Sequence, residues 1–288
     1  MSRALPDTDM MAGVPVRLDN GQVPVARLLC PNPGMMTGPG TNSYLIGERR
    51  LALVDPGPVS PAHLQAILEA LQGRPLDWIL VTHTHGDHSP GTAALQEETG
   101  ATVVGLAAPG SQYQDAAFRP HRLYHDGERL DCDGFSVTLL HTPGHVSNHL
   151  CFLLEEEQML FTGDHVLQGM TPVILPPDGD MRDYLRSLER LRDLPLASLA
   201  PGHGTLIANP AQAITTLIRH RLRREQKVVN VLQRQLAPVT LDELVAEVYD
   251  DVAQHLLPWA AKTLLAHLYK LEREERAAQR DGRWSCCG

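Results

Sequence analysis

The chain has 288 residues, enough for one large domain or a large and a small one, and its 43% hydrophobic and 20% charged residues argue against a disordered or fibrous chain. A net charge of −9 argues against broad attraction to nucleic acid, although charge is uneven: from Thr216 onward 12 Lys/Arg face 10 Asp/Glu, leaving that tail near +2 and the rest near −11. No apolar run approaches the ~20 residues of a membrane span. The stretch from Met1 to Pro15, with Asp7 and Asp9 and no apolar segment, does not resemble a secretory signal, so a cytoplasmic location is expected. Five cysteines argue against a disulfide framework. Cys30, Cys132 and Cys151 sit in or beside apolar runs, as buried thiols do, while Cys286 and Cys287 lie in the C-terminal tail.

In chain order, short aliphatic runs predict strands at Val25 to Leu29, Ser43 to Ile46, Leu51 to Val54 and Trp78 to Val81, with a helix from Pro61 to Leu71. A second series follows: strands near Ala101 to Gly105, Ser136 to Leu140, His149 to Leu154 and Met159 to Thr162, a helix from Met181 to Leu191 and a strand at Leu196 to Ala200. Such alternation predicts sheets faced by helices. After Ile207 strand signals fade. An arginine-rich helix is expected from Pro210 to Leu236, a second over Leu241 to Tyr249 behind a Thr240 N-cap, and a third from Pro258 to about Ala277, ahead of a short Trp284 segment. Three helices so arranged look like a winged-helix-type appendage. The expected division is residues 1–207 and 208–288.

The strand ending at Val81 runs into Thr82-His83-Thr84-His85-Gly86-Asp87-His88, three imidazoles and a carboxylate within six residues. Neutral imidazoles and carboxylates are what a borderline divalent ion takes, and no packed core needs this set; it reads as half of a two-metal site. Further turns punctuate other strand ends: Asp55-Pro56-Gly57, Thr142-Pro143-Gly144-His145, Thr162-Gly163-Asp164-His165 and Pro201-Gly202-His203-Gly204.

Taken in order, these turns resemble the ligand set of the metallo-β-lactamase superfamily, with a glyoxalase II-like metal motif. Within it, Asn32-Pro33-Gly34, Gly40-Thr41-Asn42-Ser43-Tyr44-Leu45, His220-Arg221 and Arg224-Glu225-Gln226 look like the lactamase-β-like protein two group. The resemblance covers nearly the whole chain. It implies an α/β fold, a four-layer αββα sandwich with a small helical, winged-helix-like C-terminal domain. It assigns His83, His85 and His145 to one metal, Asp87, His88 and His203 to a second, and Asp164 between them. Asp55 is expected to orient ligands, and Asn42 and His165 are candidates for an orienting or substrate-facing role. His165 departs from the small residue of many relatives. His141 and His149 flank the motif as structural or substrate-contacting histidines, and His63 receives no role. Two divalent ions are expected, zinc from the nitrogen-rich ligands, with manganese or iron as alternatives.

Two ions about 3.5 to 4 Å apart can share a water and lower its pKa to roughly 7, giving a bridging hydroxide. The implied function is therefore a dinuclear metallohydrolase, with Asp87 also able to move a proton to the leaving group. Three readings of its target stand. One is a small-molecule ester or thioester. Another is single-stranded RNA, with Arg219, Arg221, Arg223, Arg224 and Lys227 as a phosphate track or else as a solvated helix face. In the third, the appendage is a partner-binding module and the metal site incidental. The third helix carries Glu272, Glu274 and Glu275, which repel phosphate, so the appendage is expected to shape the cleft or form a homodimer contact. Pro176 to Asp180 is either a rim loop or a turn and N-cap.

Overall fold

The structure is a computed structural model that describes residues 10–18 and 21–287. The acidic positions Asp7 and Asp9 lie outside the described residues. The chain forms two compact units that interleave along the sequence. One comprises the chain up to Thr142 with Asn148–Met170 and Pro195–Pro210; the other comprises Pro143–Ser147, Thr171–Leu194 and Ala211 onward.

The first unit contains two sheets. One has six strands in sequential order: β1 (Val16–Leu18), β2 (Val25–Leu29), β3 (Asn42–Ile46), β4 (Leu51–Val54), β5 (Leu76–Leu80) and β6 (Thr102–Val104). Its first four strands are antiparallel, whereas β4, β5 and β6 run parallel because the helices α1 (Pro61–Leu71) and α2 (Thr92–Thr99) return the chain. The second sheet is ordered β11-β10-β9-β8-β7, built from β7 (Arg129–Asp131), β8 (Ser136–His141), β9 (Leu150–Leu154), β10 (Met159–Gly163) and β11 (Ser198–Pro201), with only β10 and β11 parallel. Tyr44, Val54 and Leu80 of the first sheet pack with Val137, Phe152 and Phe161 of the second in one core. The other face of the first sheet, through Leu53, Ile79 and Val103, buries against Ile67 of α1 and Leu95 of α2.

Local signals account for α1. The Ser60 hydroxyl accepts from the His63 amide, Pro61 supplies the first helical φ, and Gln72 closes the helix in the left-handed region. Neither β1, β7 nor α2 is among the sequence-predicted elements. The strands have three residues each, too few to show a period, and α2 buries only Thr92 and Leu95 between Gly91 and Gly100.

The second unit holds α3 (Met181–Arg192), α4 (Pro210–Arg234, entering at Ala211), α5 (Leu241–Val248) and α6 (Leu257–Arg273). The Thr240 cap is a full capping box with Glu243. The Pro176 to Asp180 segment ends as an N-cap, because the Asp180 carboxylate accepts from the amides of Arg182 and Asp183. The third C-terminal helix is shorter than expected. It stops at Arg273, and the chain turns back as a hairpin of β12 (Ala277–Arg280) and β13 (Arg283–Cys286). Asp281 (φ 49°) and Gly282 (φ 76°) make the two-residue turn, a left-handed pair that Asp-Gly adopts cheaply. Trp284 also exchanges two backbone hydrogen bonds with Val239, so its buried ring joins Leu264, Leu268 and Leu271 in this unit's core. The hairpin is the wing that the winged-helix expectation lacked. All five cysteines are free, and no helix among the described residues is long and apolar enough to cross a membrane.

Candidate metal centre

Two parallel pairs of strands in the first unit, β4 with β5 and β10 with β11, deliver the site from their carboxyl ends. Asp55 follows β4, the segment Thr82 to His88 follows β5, Asp164 follows β10, and His203 follows β11. Strand ends suit this task because the sheet fixes the last backbone atoms while the turn beyond is free to aim a side chain. Asp55 adopts φ 52°, a left-handed conformation that Asp tolerates better than most residues.

Hydrogen bonds then decide which nitrogen of each imidazole stays bare. The Asp55 carboxylate accepts from the Thr82 amide (2.8 Å), the Thr82 hydroxyl (2.8 Å) and His88 Nδ1 (2.8 Å). Because the Thr82 hydroxyl hydrogen is committed to Asp55, its oxygen acts as acceptor toward His83 Nδ1 at 3.0 Å. His203 Nδ1 donates to the Gly40 carbonyl at 3.1 Å. In the neutral form of His83, His88 and His203 the proton therefore sits on Nδ1, and Nε2 is the atom left to face the cluster. One carboxylate thus sets two of these tautomers, directly for His88 and through a hydroxyl for His83.

The bare nitrogens converge. Ligand-type atoms of His83, His88 and Asp164 form one group within 4.8 Å of one another, and those of Asp87, His88 and His203 form another. His83 Nε2 is 3.0 Å from His85 Nδ1. His88 Nε2 is 3.4 Å from Asp164 and 3.6 Å from Asp87, and His203 Nε2 is 3.3 Å from each. Both of these Nε2 atoms are buried and accept no hydrogen bond. A buried lone pair without a donor is costly, and a shared cation removes that cost. The close approach also depends on glycine, because a Cβ on Gly202 would lie 2.7 Å from His88 Cε1 and 2.8 Å from Asp164 Oδ1. On this chemistry the residues fit divalent ions with nitrogen and oxygen ligands.

Electrostatics agree in sign. Burial opposes charge on His203, yet Asp164 and Asp87 hold its pKa up at about 10. Burial opposes charge on His88 as well, but Asp87, Asp164 and Asp55 push it well above the ordinary imidazole value. Burial, with His88 and His85 beside it, drives His83 well below that value. Asp164 is held far below the usual carboxylate range, His203 and His88 outweighing its burial. The cluster demands positive charge, which protonated imidazoles or bound cations can provide.

Within the first unit the structure brings together six of the seven expected ligands: His83, His85, Asp87, His88, Asp164 and His203. The seventh, His145, belongs to the second unit, where its Nδ1 lies 2.7 Å from the Val173 carbonyl. Among the other candidates, Asp55 is the tautomer-setting carboxylate, Asn42 is bonded to the turn that carries His203, and His165 is buried with its ring 5.5 Å from that of His149. His149 stacks on His83 at 5.2 Å and meets the Thr142 hydroxyl at 2.9 Å, whereas His141 is half-buried and its amide donates to Asp126. Sequence reasoning gave no role to His63, whose Nε2 lies 2.8 Å from the Ser43 hydroxyl. Ser43 in turn donates to the Asp55 carbonyl and so supports the left-handed turn. Burial lowers the His63 pKa to about 4, keeping this ring neutral. The Gly-Thr-Asn-Ser run was the available signal, but His63 lies 20 residues from Ser43, on α1.

Comparison with known proteins accords with this geometry. A family model described as the metallo-beta-lactamase superfamily matches residues 36–203, and one described as the beta-lactamase associated winged helix domain matches residues 240–284. The chain is 33% identical over 264 residues to a beta-lactamase-like protein 2 homolog of Drosophila melanogaster, covering 87% of this chain and 88% of that protein. It is 31% identical over 277 residues to an atrochrysone carboxyl ACP thioesterase of Claviceps purpurea, covering 90% and 85%. A beta-lactamase domain protein from Burkholderia ambifaria shares the fold with TM-score 0.80 at 20% identity, covering 98% and 96%. The first matched region takes in every strand that ends in a cluster residue and stops at His203 itself, and by that match the chain belongs to the metallo-β-lactamase superfamily.

Proposed function

We propose that the protein is a dinuclear, zinc-dependent hydrolase of thioesters, with His83, His85 and His145 holding one ion, Asp87, His88 and His203 the other, and Asp164 between them. The observation that carries this reading is the convergence of His88 and His203 Nε2 on the two carboxylates of Asp87 and Asp164, all buried except the partly exposed Asp87. His145 enters by its place in the motif order. When bound, such a pair of ions acidifies a water and polarises the acyl oxygen.

The chain's own residues do the rest. Asp55 and the Gly40 carbonyl hold the imidazole tautomers, so the ligands meet an incoming ion without rearrangement. Asp87, with its side chain 26% exposed against 13% for Asp164, is the carboxylate nearer to solvent, and we give it the proton for the leaving group. In hydrolysis, water oxygen bonds to the acyl carbon and gives a proton to the Asp87 carboxylate, the carbon–sulfur bond breaks, and the leaving thiolate takes that proton from Asp87. His165 we place as a packing residue beside His149. The division into a catalytic region to residue 207 and an appendage beyond it stays with this reading, as does a cytoplasmic location, which five free thiols support.

The thioester is favoured over RNA by the name of the Claviceps relative and by the state of the arginine helix. Arg221 is buried, Arg224 forks onto Asp251, and Lys227 pairs with Asp250, so three of the five cations of the expected track are engaged inside their own unit. The test is turnover of an aryl thioester and cleavage of end-labelled single-stranded RNA, each with zinc-loaded and chelated protein across a salt series. Metal-dependent thioester turnover that is indifferent to salt is expected. RNA cleavage falling steeply with salt, with the thioester intact, would replace the reading. Asp87→Asn should lose far more turnover than bound metal, and equal losses would remove its proton-transfer role.

A further inference from the structure

Gly40, just before β3, and Asn42 and Tyr44 within it together touch every residue of the turn Pro201 to Gly204 at the end of β11. His203 Nδ1 donates to the Gly40 carbonyl, and the Asn42 amide nitrogen of the main chain donates to the Gly202 carbonyl at 2.8 Å. The Asn42 side chain then spans the turn. Its Nδ2 donates to the Pro201 carbonyl at 2.9 Å and to the Gly204 carbonyl at 2.8 Å, two residues before His203 and one after it. The Tyr44 hydroxyl adds a second donor to Pro201 at 2.8 Å. The amide can sit only this way round, because the reverse orientation would set its oxygen against two carbonyl oxygens. Its Oδ1 is buried and makes no hydrogen bond. A side chain that serves packing alone is not expected to carry an unsatisfied buried oxygen.

We propose that Asn42 is a positioning residue for His203, fixing the turn from both sides so that Nε2 is presented in place before an ion arrives, and that it governs retention of one ion of the pair rather than the integrity of the fold. The proposal rests on the reading that Asp87, His88 and His203 hold an ion. It follows from where the two bonds fall: loss of the amide frees carbonyls before and after one ligand while His83, Asp55 and the Thr82 hydroxyl that links them are untouched. Ligand-orienting hydrogen bonds of this kind typically change metal affinity by about 10- to 100-fold.

The experiment measures bound zinc per chain against a graded chelator, together with melting of the metal-free protein and the visible spectrum after cobalt substitution, for wild type, Asn42→Ala, Asn42→Asp and Tyr44→Phe. Wild type should hold two ions. Asn42→Ala and the isosteric Asn42→Asp, which keeps the volume but loses the donor, should each hold one ion as tightly as wild type and the other at least 10-fold more weakly, with a changed cobalt spectrum. Tyr44→Phe, which keeps both amide bonds, should weaken the same ion by less. Two ions of unchanged affinity in Asn42→Asp would overturn the proposal, since packing alone would then explain the residue. Parallel loss of both ions with collapse of metal-free melting would also overturn it, as would an unfolded pair of Asn42 variants with an unaltered Tyr44→Phe. Fewer than two ions in wild type would instead sink the dinuclear reading, and this proposal with it.

Discussion

The molecule buries carboxylates beside histidines in two places, and the two are solved in opposite ways. In the second unit, Glu225 is buried between α4 and α6 and meets two permanent cations, Lys270 Nζ at 2.9 Å and the Arg276 guanidinium at 3.1 Å, with the ring of His267 at 3.6 Å. In the first unit, Asp87 and Asp164 are set against His88 and His203, which carry charge only when protonated. The first arrangement is complete as folded, a structural ion network. The second concentrates carboxylates, bare ring nitrogens and tautomer control at strand ends, which is costly for stability and useful only if a cation comes from outside. Buried charge alone does not mark a functional site; buried charge left to an exogenous partner does.

The sharpest way to break the comparison is to make the second cluster incomplete too. Lys270→Met leaves Glu225 buried with only the half-exposed Arg276 and a neutral ring, and should destabilise the protein by about 3 to 5 kcal/mol in denaturant melts. Little change would mean that Glu225 is hydrated and the network ornamental. The same carboxylate has a signature in acid. Burial raises its pKa, but His267 and Lys270 outweigh burial and hold it at about 2, against an ordinary value of 4.5. Its contribution is therefore fully present above pH 4.5 and is lost as pH falls from there through about 2, a slope worth about 3 kcal/mol in total. Glu225→Gln should lower stability near neutrality and flatten that acid limb, so that the two proteins converge near pH 2. Parallel curves would refute the assignment.

How much of this was readable beforehand follows the range of the interactions. Strands β2 and β4 and helix α1 fall where aliphatic runs and the Ser60-Pro61 start place them. The turns that carry the candidate ligands were legible because each is short and follows a strand. The hairpin was not, although Asp281-Gly282 announced it, because the helical period before it was carried a turn too far. Contacts that orient the site were the least legible. Asn42 reaches Pro201 and Gly204 across 159 and 162 residues, a distance at which a turn amide and a ligand brace look the same in sequence.

Asp55 offers a smaller, more selective perturbation. Asp55→Asn keeps the shape but replaces one acceptor oxygen by a donor, so it can no longer accept from both the Thr82 amide and the Thr82 hydroxyl with His88. Zinc affinity should fall about 10- to 100-fold, equivalent to about 1.4 to 2.7 kcal/mol, while the second unit's acid limb stays as in wild type. If affinity were unchanged, tautomer control by Asp55 would be wrong even though the ligands were right.

The smallest effect separates the buried from the exposed members of the Glu225 network. Arg276 lies as close to that carboxylate as Lys270 does, within 0.2 Å, but its side chain is 42% exposed against 10% for Lys270. Solvent screens the exposed pair and lets the guanidinium move, so Arg276→Ala should cost about 0.5 kcal/mol and the loss should shrink further in high salt. Lys270→Met, by contrast, should be nearly insensitive to salt, because water and ions do not reach the bond it breaks. Equal losses for the two variants would mean that the network is solvated throughout. It would then differ from the ligand cluster in degree of hydration rather than in the source of its positive charge.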